Sequence, residues 1–272
     1  MLRALLALLC LYVLGPAAAK AHEFWIEPQA YEIAPGEPIV ARLRNGERFN
    51  GVALPYLPAG YRRFELIEGA AARPVEARLG DEPALNMPAA AEGLAIVALE
   101  TTDSILTYDD PERFRRFVAH KDLAGALEAH ARRGLPEAGF SERYSRHVKA
   151  LVAVGAGMGA DRALGLRTEI VALANPYTDD LSAGLPLQVF FEGAPRAGAQ
   201  VELFARGPEG EVTITLHRTD AEGRVTVPVA PGHAYFADAV VLLDTGNDRP
   251  EAGPVWQSLW AGLSFAVPAR AP

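Results

Sequence analysis

From Phe24 to roughly Thr107, apolar positions come in short alternating runs broken by glycine and proline: Tyr31 to Ile33, Pro38 to Leu43, Phe64 to Ile67 and Leu94 to Leu99. Alternation with period two predicts strands, and Pro35-Gly36, Asn45-Gly46 and Gly80-Asp81 predict the turns between them. Pro55, Pro58, Pro83 and Pro88 keep the loops out of central strands. The period changes at Asp109-Asp110-Pro111-Glu112, where a capping aspartate, proline at the first helical position and an early acid predict a helix start. Phe114, Phe117 and Val118 then share one helix face, with Leu123 and Leu127 further on, until Gly134 and Pro136 end the stretch. A second helix is predicted from Ser141, with Tyr144, Val148 and Leu151 as its apolar stripe, closed by the glycines between Gly155 and Gly159.

After Asp161 the strand pattern returns at Thr168 to Leu173, Pro186 to Phe191, Gln200 to Ala205, Glu211 to His217, Gly223 to Val229, Ala234 to Leu243 and Ser258 to Val267. Evenly spaced short strands of this kind indicate an immunoglobulin-type sandwich. The expected fold is therefore mainly β: one β-sandwich over residues 22–108, a helical hairpin over 109–160 and a second, immunoglobulin-like sandwich over 161–272.

Residues 1–21 have a different character. Arg3, an apolar run from Ala4 to Leu14, the Gly15-Pro16 break and small residues follow the order of a secretory signal. The run is about a dozen residues long, short of the roughly 20 that span a bilayer. Ala19-Lys20-Ala21 places small residues at −3 and −1 before His22; a cut after Ala19 is the competing site. Cys10 lies inside this signal, so the mature chain has no cysteine, no disulfide and no thiolate metal site. Removal of Arg3 and Lys20 leaves 24 Lys and Arg against 34 Asp and Glu, a net charge of −10. That balance argues against nucleic acid as a partner, because phosphate binding needs clustered positive charge. It suits a protein that meets cations, with plain solubility as the simpler reading; the signal implies export to the periplasm.

Chemistry is concentrated at the expected new terminus. An N-terminal histidine carries an α-amino group and an imidazole on one residue, and both present lone pairs near neutral pH. Together they chelate ions such as nickel, cobalt or copper. Glu23 is adjacent, but further donors have to come from elsewhere: His120, His130 and His147 in the expected hairpin, His217 and His233 in the second sandwich. None forms a His-x₃-His or His-Glu-x-x-His pair. His147 is favoured if the hairpin folds over the N-terminus. There is no Gly-x-Ser-x-Gly, phosphate loop or dinucleotide fingerprint, so no enzyme is indicated. Asp109-Asp110 and Asp179-Asp180 read as turn residues, Trp256 and Trp260 as core. A copper enzyme built on a terminal histidine brace needs a second histidine in the same β domain, and the sequence offers none there.

Several of these segments resemble the DUF4198 family: Ala21 to Ile26, Glu142 to Ala150, Leu173-Ala174-Asn175-Pro176-Tyr177, Phe191 to Val201, Thr219 to Val225 and Trp260 to Phe265. The resemblance spans nearly the whole mature chain. It implies a periplasmic accessory component of nickel or cobalt uptake, with His22 as a ligand and a membrane metal transporter as partner. The second domain also resembles the carboxypeptidase regulatory-like module, a sandwich without chemistry of its own. Relatives usually carry acidic residues near Ala119 to Leu123, and a histidine in the penultimate strand where this chain reads Ala237-Asp238-Ala239-Val240. A site built on that pattern is either incomplete here or uses Asp238. The expected ligands are thus His22, His147, His120, Glu23 and Asp238; the alternative is a cell-envelope module that binds protein or glycan without metal.

Overall fold

The computed structural model describes residues 23–269. The chain is mainly β, built in three layers around one ten-stranded sheet. The main path of that sheet runs Val212–Arg218, Gln200–Arg206, Ala234–Asp244, Trp256–Ala266, Phe140–Val154, Gly93–Thr101, Tyr61–Glu68 and Ala71–Pro74, and two short strands, Glu32–Ile33 and Ser104–Tyr108, also pair with Phe140–Val154. A four-stranded sheet of Glu23–Pro28, Pro38–Glu47, Asn50–Leu54 and Leu85–Pro88 covers one part of it. A second, of Thr168–Ala172, Leu185–Phe191, Ala194–Pro195 and Arg224–Val227, covers the other face.

Alternation along Phe140–Val154 explains the layering, because successive side chains of a strand leave opposite faces of the sheet. Val148, Ala150, Val152 and Val154 pack with Phe24, Ile26, Ile39 and Leu43 of the first small sheet. Leu151 and Ala153 pack with Ile170, Leu185, Leu187 and Val189 of the second. The two halves of the chain therefore share one sheet. They meet where Phe140–Val154 pairs in parallel with Trp256–Ala266, in register from Glu142 opposite Trp256 to Ala150 opposite Ser264.

This strand corrects the expectation of a second helix from Ser141. A strand covered on both faces loses its polar alternation, and Tyr144, Val148 and Leu151 fall by coincidence at helical spacing. The charged Lys149 is accommodated by neutralisation: its ammonium reaches Asp161 Oδ1 at 2.8 Å and Glu169 Oε1 at 3.1 Å, all three buried. The first helix forms as Pro111–His120, with the Asp110 side chain accepting from the Glu112 N–H at 3.0 Å. Asp122 at φ 49° and Gly125 at φ 78° then break the helical stretch, which resumes as Ala126–Arg132. Both helices lie on the same sheet face as the first small sheet's contacts, where Phe114, Phe117 and Leu123 pack against Trp256 and Trp260; the two tryptophans are core.

The Asn45-Gly46 turn is also corrected. Pro38–Glu47 continues through it, and the reversal comes at Arg48 and Phe49, between Glu47 and its partner Asn50. Gly46 faces Gly51, and a Cβ on Gly46 would collide with the Asn50 carbonyl, so the glycines serve a close crossing of two strands. Among the described residues no helix is long and apolar enough to cross a membrane.

Candidate functional site

The first strand, Glu23–Pro28, lays Glu23, Trp25 and Glu27 beside residues 202–206 and 234–238 of the strands Gln200–Arg206 and Ala234–Asp244. Those strands are in register as Glu202 opposite Asp238, Phe204 opposite Phe236 and Arg206 opposite Ala234. Three zones result: carboxylates at one end, an aromatic cluster of Trp25, Phe49, Phe204 and Phe236 in the middle, and ion pairs of Glu27 with Arg206 and Arg44 at the other end.

The carboxylate zone is capped by the end of the Pro111–His120 helix. Lys121 directs its ammonium between Glu202 Oε2 and Asp238 Oδ2, each at 2.7 Å, with Glu23 Oε1 at 3.5 Å. All four side chains are at most 5% exposed. His120 Nε2 lies 3.1 Å from Glu202 Oε1, and its ring is 55% exposed, so it forms the solvent side of the cluster. The ring of Trp260 lies beneath: the Lys121 ammonium is 5.0 Å and the Arg146 guanidinium 4.0 Å from its centre, within cation–π range.

Electrostatics follow from burial and pairing. Burial pushes Glu23 up to about 6, against the pull of Lys121 and with repulsion from Asp238 and Glu202 adding to it. Burial likewise raises Asp238, although Lys121 opposes this. Glu202 is buried too, yet hydrogen bonds from His120 and the charge of Lys121 hold it below its ordinary value. The Glu202 hydrogen bond raises His120. Lys121 is raised despite burial, by Asp238, Glu202 and Glu23. Lys121 thus pairs with three carboxylates, and the Arg146 guanidinium adds a second positive charge that acts on Asp238 and Glu23.

Of the residues singled out in the sequence, Glu23, His120 and Asp238 come together here. His22 lies outside the described residues; the covalent chain ties it directly to Glu23. His147 does not join them. It is one residue from Arg146 on Phe140–Val154 and so leaves the opposite face of the sheet, where its Nε2 meets Ser145 Oγ at 3.1 Å. Burial, with Arg62 and Arg167 nearby, lowers it to about 4. His130 receives the Trp256 indole N–H at 3.0 Å within the helical layer. Sequence reasoning missed Lys121 and Glu202, which are 81 positions apart. Among the described residues no group of three or more histidine, cysteine, aspartate or glutamate side chains has the arrangement of a metal site; the lysine ammonium stands where the carboxylates converge.

Comparison with known proteins bears on what this arrangement belongs to. The model of a domain of unknown function, DUF4198, matches residues 19–242. The chain belongs to the DUF4198 family. The match runs from before Glu23 to near the end of the strand that carries Asp238, so the four carboxylate-cluster side chains and His120 lie inside the family domain. No curated protein matches. Among solved structures, this DUF4198 chain is similar to a tetra-tandem repeat in the extending region of a large adhesion protein, at 11% identity and a TM-score of 0.20, over 90% of this chain and 49% of that one. It is also similar to a Salmonella alpha-2-macroglobulin reacted with methylamine, at 14% identity and a TM-score of 0.23, over 89% of this chain and 15% of that one. The DUF4198 chain spans about half the length of the first and a smaller part of the second.

Proposed function

We propose that this DUF4198 protein is a periplasmic binder of a divalent transition metal, nickel or cobalt, which it passes to a membrane metal transporter. Export by the signal of residues 1–21 frees His22, and two immunoglobulin-like halves carry the site. The observation that supports the reading is the meeting of Glu23, the residue joined to His22, with His120, Glu202 and Asp238 in one capped cluster. A terminal amine and imidazole supply two nitrogen donors, and His120 on the exposed side supplies a third; nitrogen-rich sets of this kind suit nickel, cobalt and copper. The carboxylates supply negative charge rather than direct ligation, since Lys121 already holds them. The ion is cargo, and no chemical step is assigned to the protein.

The test is calorimetric titration of Ni²⁺ into protein that begins at His22 and into a form that retains a methionine before it. The authentic terminus is expected to bind one ion with an affinity at least tenfold higher. Equal affinity in the two forms overturns the terminal chelate and leaves the metal-free envelope module as the reading.

A further inference from the structure

Beside Trp25 and Glu27 of the strand Glu23–Pro28 and the reversal at Arg48 and Phe49, the structure forms an open cleft of about 830 Å³ lined also by Arg44 and Arg206. On a chain with a net charge of −8, three guanidiniums converge there against two carboxylates, Glu27 and Glu47. Glu27 is spent: its Oε2 takes Arg44 Nε at 2.5 Å and its Oε1 takes Arg206 Nη1 at 2.7 Å. That pairing orients both forks. Arg44 gives Nη1 to the Gly51 carbonyl at 3.1 Å, and Arg206 gives Nη2 to the Phe49 carbonyl while stacking at 4.1 Å over the Phe49 ring. Each arginine is fixed in place with one guanidinium nitrogen, Arg44 Nη2 and Arg206 Nε, that makes no hydrogen bond among the described residues.

Two observations point to a ligand. Arg48 is exposed at the mouth and makes no hydrogen bond or ion pair among the described residues. The Trp25 indole lines the cleft, is fully buried, and its Nε1 has no hydrogen-bond acceptor. An indole N–H only donates, and a buried donor left unmade costs free energy. Beside Glu47 and Asn50, the cleft thus offers a set rich in donors: guanidinium nitrogens, which favour oxyanions, and one indole N–H. Its volume falls within the range of small-molecule sites, about 300–1,000 Å³.

We propose that this cleft binds a small oxyanion-bearing molecule, seated on Arg44 Nη2 and Arg206 Nε, with Arg48 closing on it and Trp25 Nε1 donating to it. The site is separate from the carboxylate cluster and does not depend on metal binding. The shared chemistry is a compact group rich in acceptors, and its source is either a carboxylate or a phosphate.

The experiment uses protein stripped of metal on a chelating resin, so that the cluster at Lys121 contributes nothing. Succinate and inorganic phosphate are titrated separately, read by calorimetry and by tryptophan fluorescence. The expected result is saturable one-to-one binding of at least one anion with a change in tryptophan emission; the tighter of the two identifies the source. Arg48→Ala, at an exposed position, should fold as the wild type by circular dichroism and bind at least tenfold more weakly, while Arg48→Lys recovers part of the loss. Absence of binding by either anion at 10 mM, a concentration at which sites with Kd of about 1 mM saturate, overturns the proposal. So does unchanged affinity in Arg48→Ala.

Discussion

Lys121 and Asp238 stand 117 positions apart in the chain, yet their charged atoms meet at 2.7 Å with both side chains 3% exposed. A buried ion pair often contributes nothing over a well-packed apolar replacement, but removal of one partner leaves the other charge uncompensated. Here Lys121 pairs directly with three carboxylates, so Lys121→Met is expected to cost about 3–5 kcal/mol in urea unfolding at pH 7. Glu202→Gln and Asp238→Asn added to that variant should restore part of the loss, because of the three carboxylates only Glu23 then remains charged. If the triple variant is less stable than Lys121→Met alone, the cluster is not held by charge neutralisation.

The two candidate histidines should separate cleanly in metal titration. His120 stands on the solvent side of the carboxylate cluster, whereas His147 leaves the other face of the central sheet. With an authentic His22 terminus, His120→Ala should weaken Ni²⁺ binding about tenfold or more, the scale of one lost ligand contact. His147→Ala should leave it unchanged. A loss confined to His147→Ala would place the ion on the wrong side of the sheet for this reading.

Much of the fold was legible because its strands alternate or end at turn residues: the runs at Pro38 to Leu43, Leu94 to Leu99 and Gln200 to Ala205 all lie within observed strands. The helix start at Asp110-Pro111 was legible because capping is local chemistry. The misreading at Ser141 to Val154 has a physical cause, since a strand buried on both faces shows neither period, and a few apolar residues then fit a helical stripe. The β-branched Val148, Val152 and Val154 were the available counter-signal. At the site, Glu23, His120 and Asp238 could be picked as donor types, but nothing in residue spacing links them. Lys121 and Glu202 were invisible for the same reason: their meeting is set by the register of Glu202 with Asp238 and by where the helix ends. The shared central sheet was hidden because parallel pairing of Phe140–Val154 with Trp256–Ala266 joins segments more than a hundred residues apart.

The turn at Arg48 and Phe49 opposes stability to binding. Both residues take positive φ, 54° and 56°, in a two-residue reversal, a conformation that costs a non-glycine residue roughly 1–2 kcal/mol. Phe49 is compensated by its place in the aromatic cluster with Trp25 and Phe236. Arg48, being exposed, has no such compensation. Arg48→Gly should therefore raise stability by about 1 kcal/mol in urea unfolding while losing the anion affinity of the cleft. A destabilised Arg48→Gly would mean that the arginine side chain itself holds the turn.

Two buried groups give stability opposite slopes with pH. Glu23 rises from 4.5 to about 6 on folding. Between those values the folded protein holds a proton that the unfolded chain has released, so stability falls as pH increases, by about 2 kcal/mol in full above pH 6. His147 falls from 6.5 to about 4. As pH drops through that range the unfolded chain takes up a proton that the folded one refuses, and about 3 kcal/mol is lost. In the wild type the two effects partly cancel between pH 4.5 and 6. Urea unfolding at pH 4.5, 5.5, 6.5 and 7.5 should separate them: Glu23→Gln should gain stability with rising pH more steeply than the wild type, and His147→Gln should gain less or lose it. Parallel profiles for the three proteins would show that neither group is buried in the state assigned to it, and a steeper slope in His147→Gln would reverse the sign argued for the histidine.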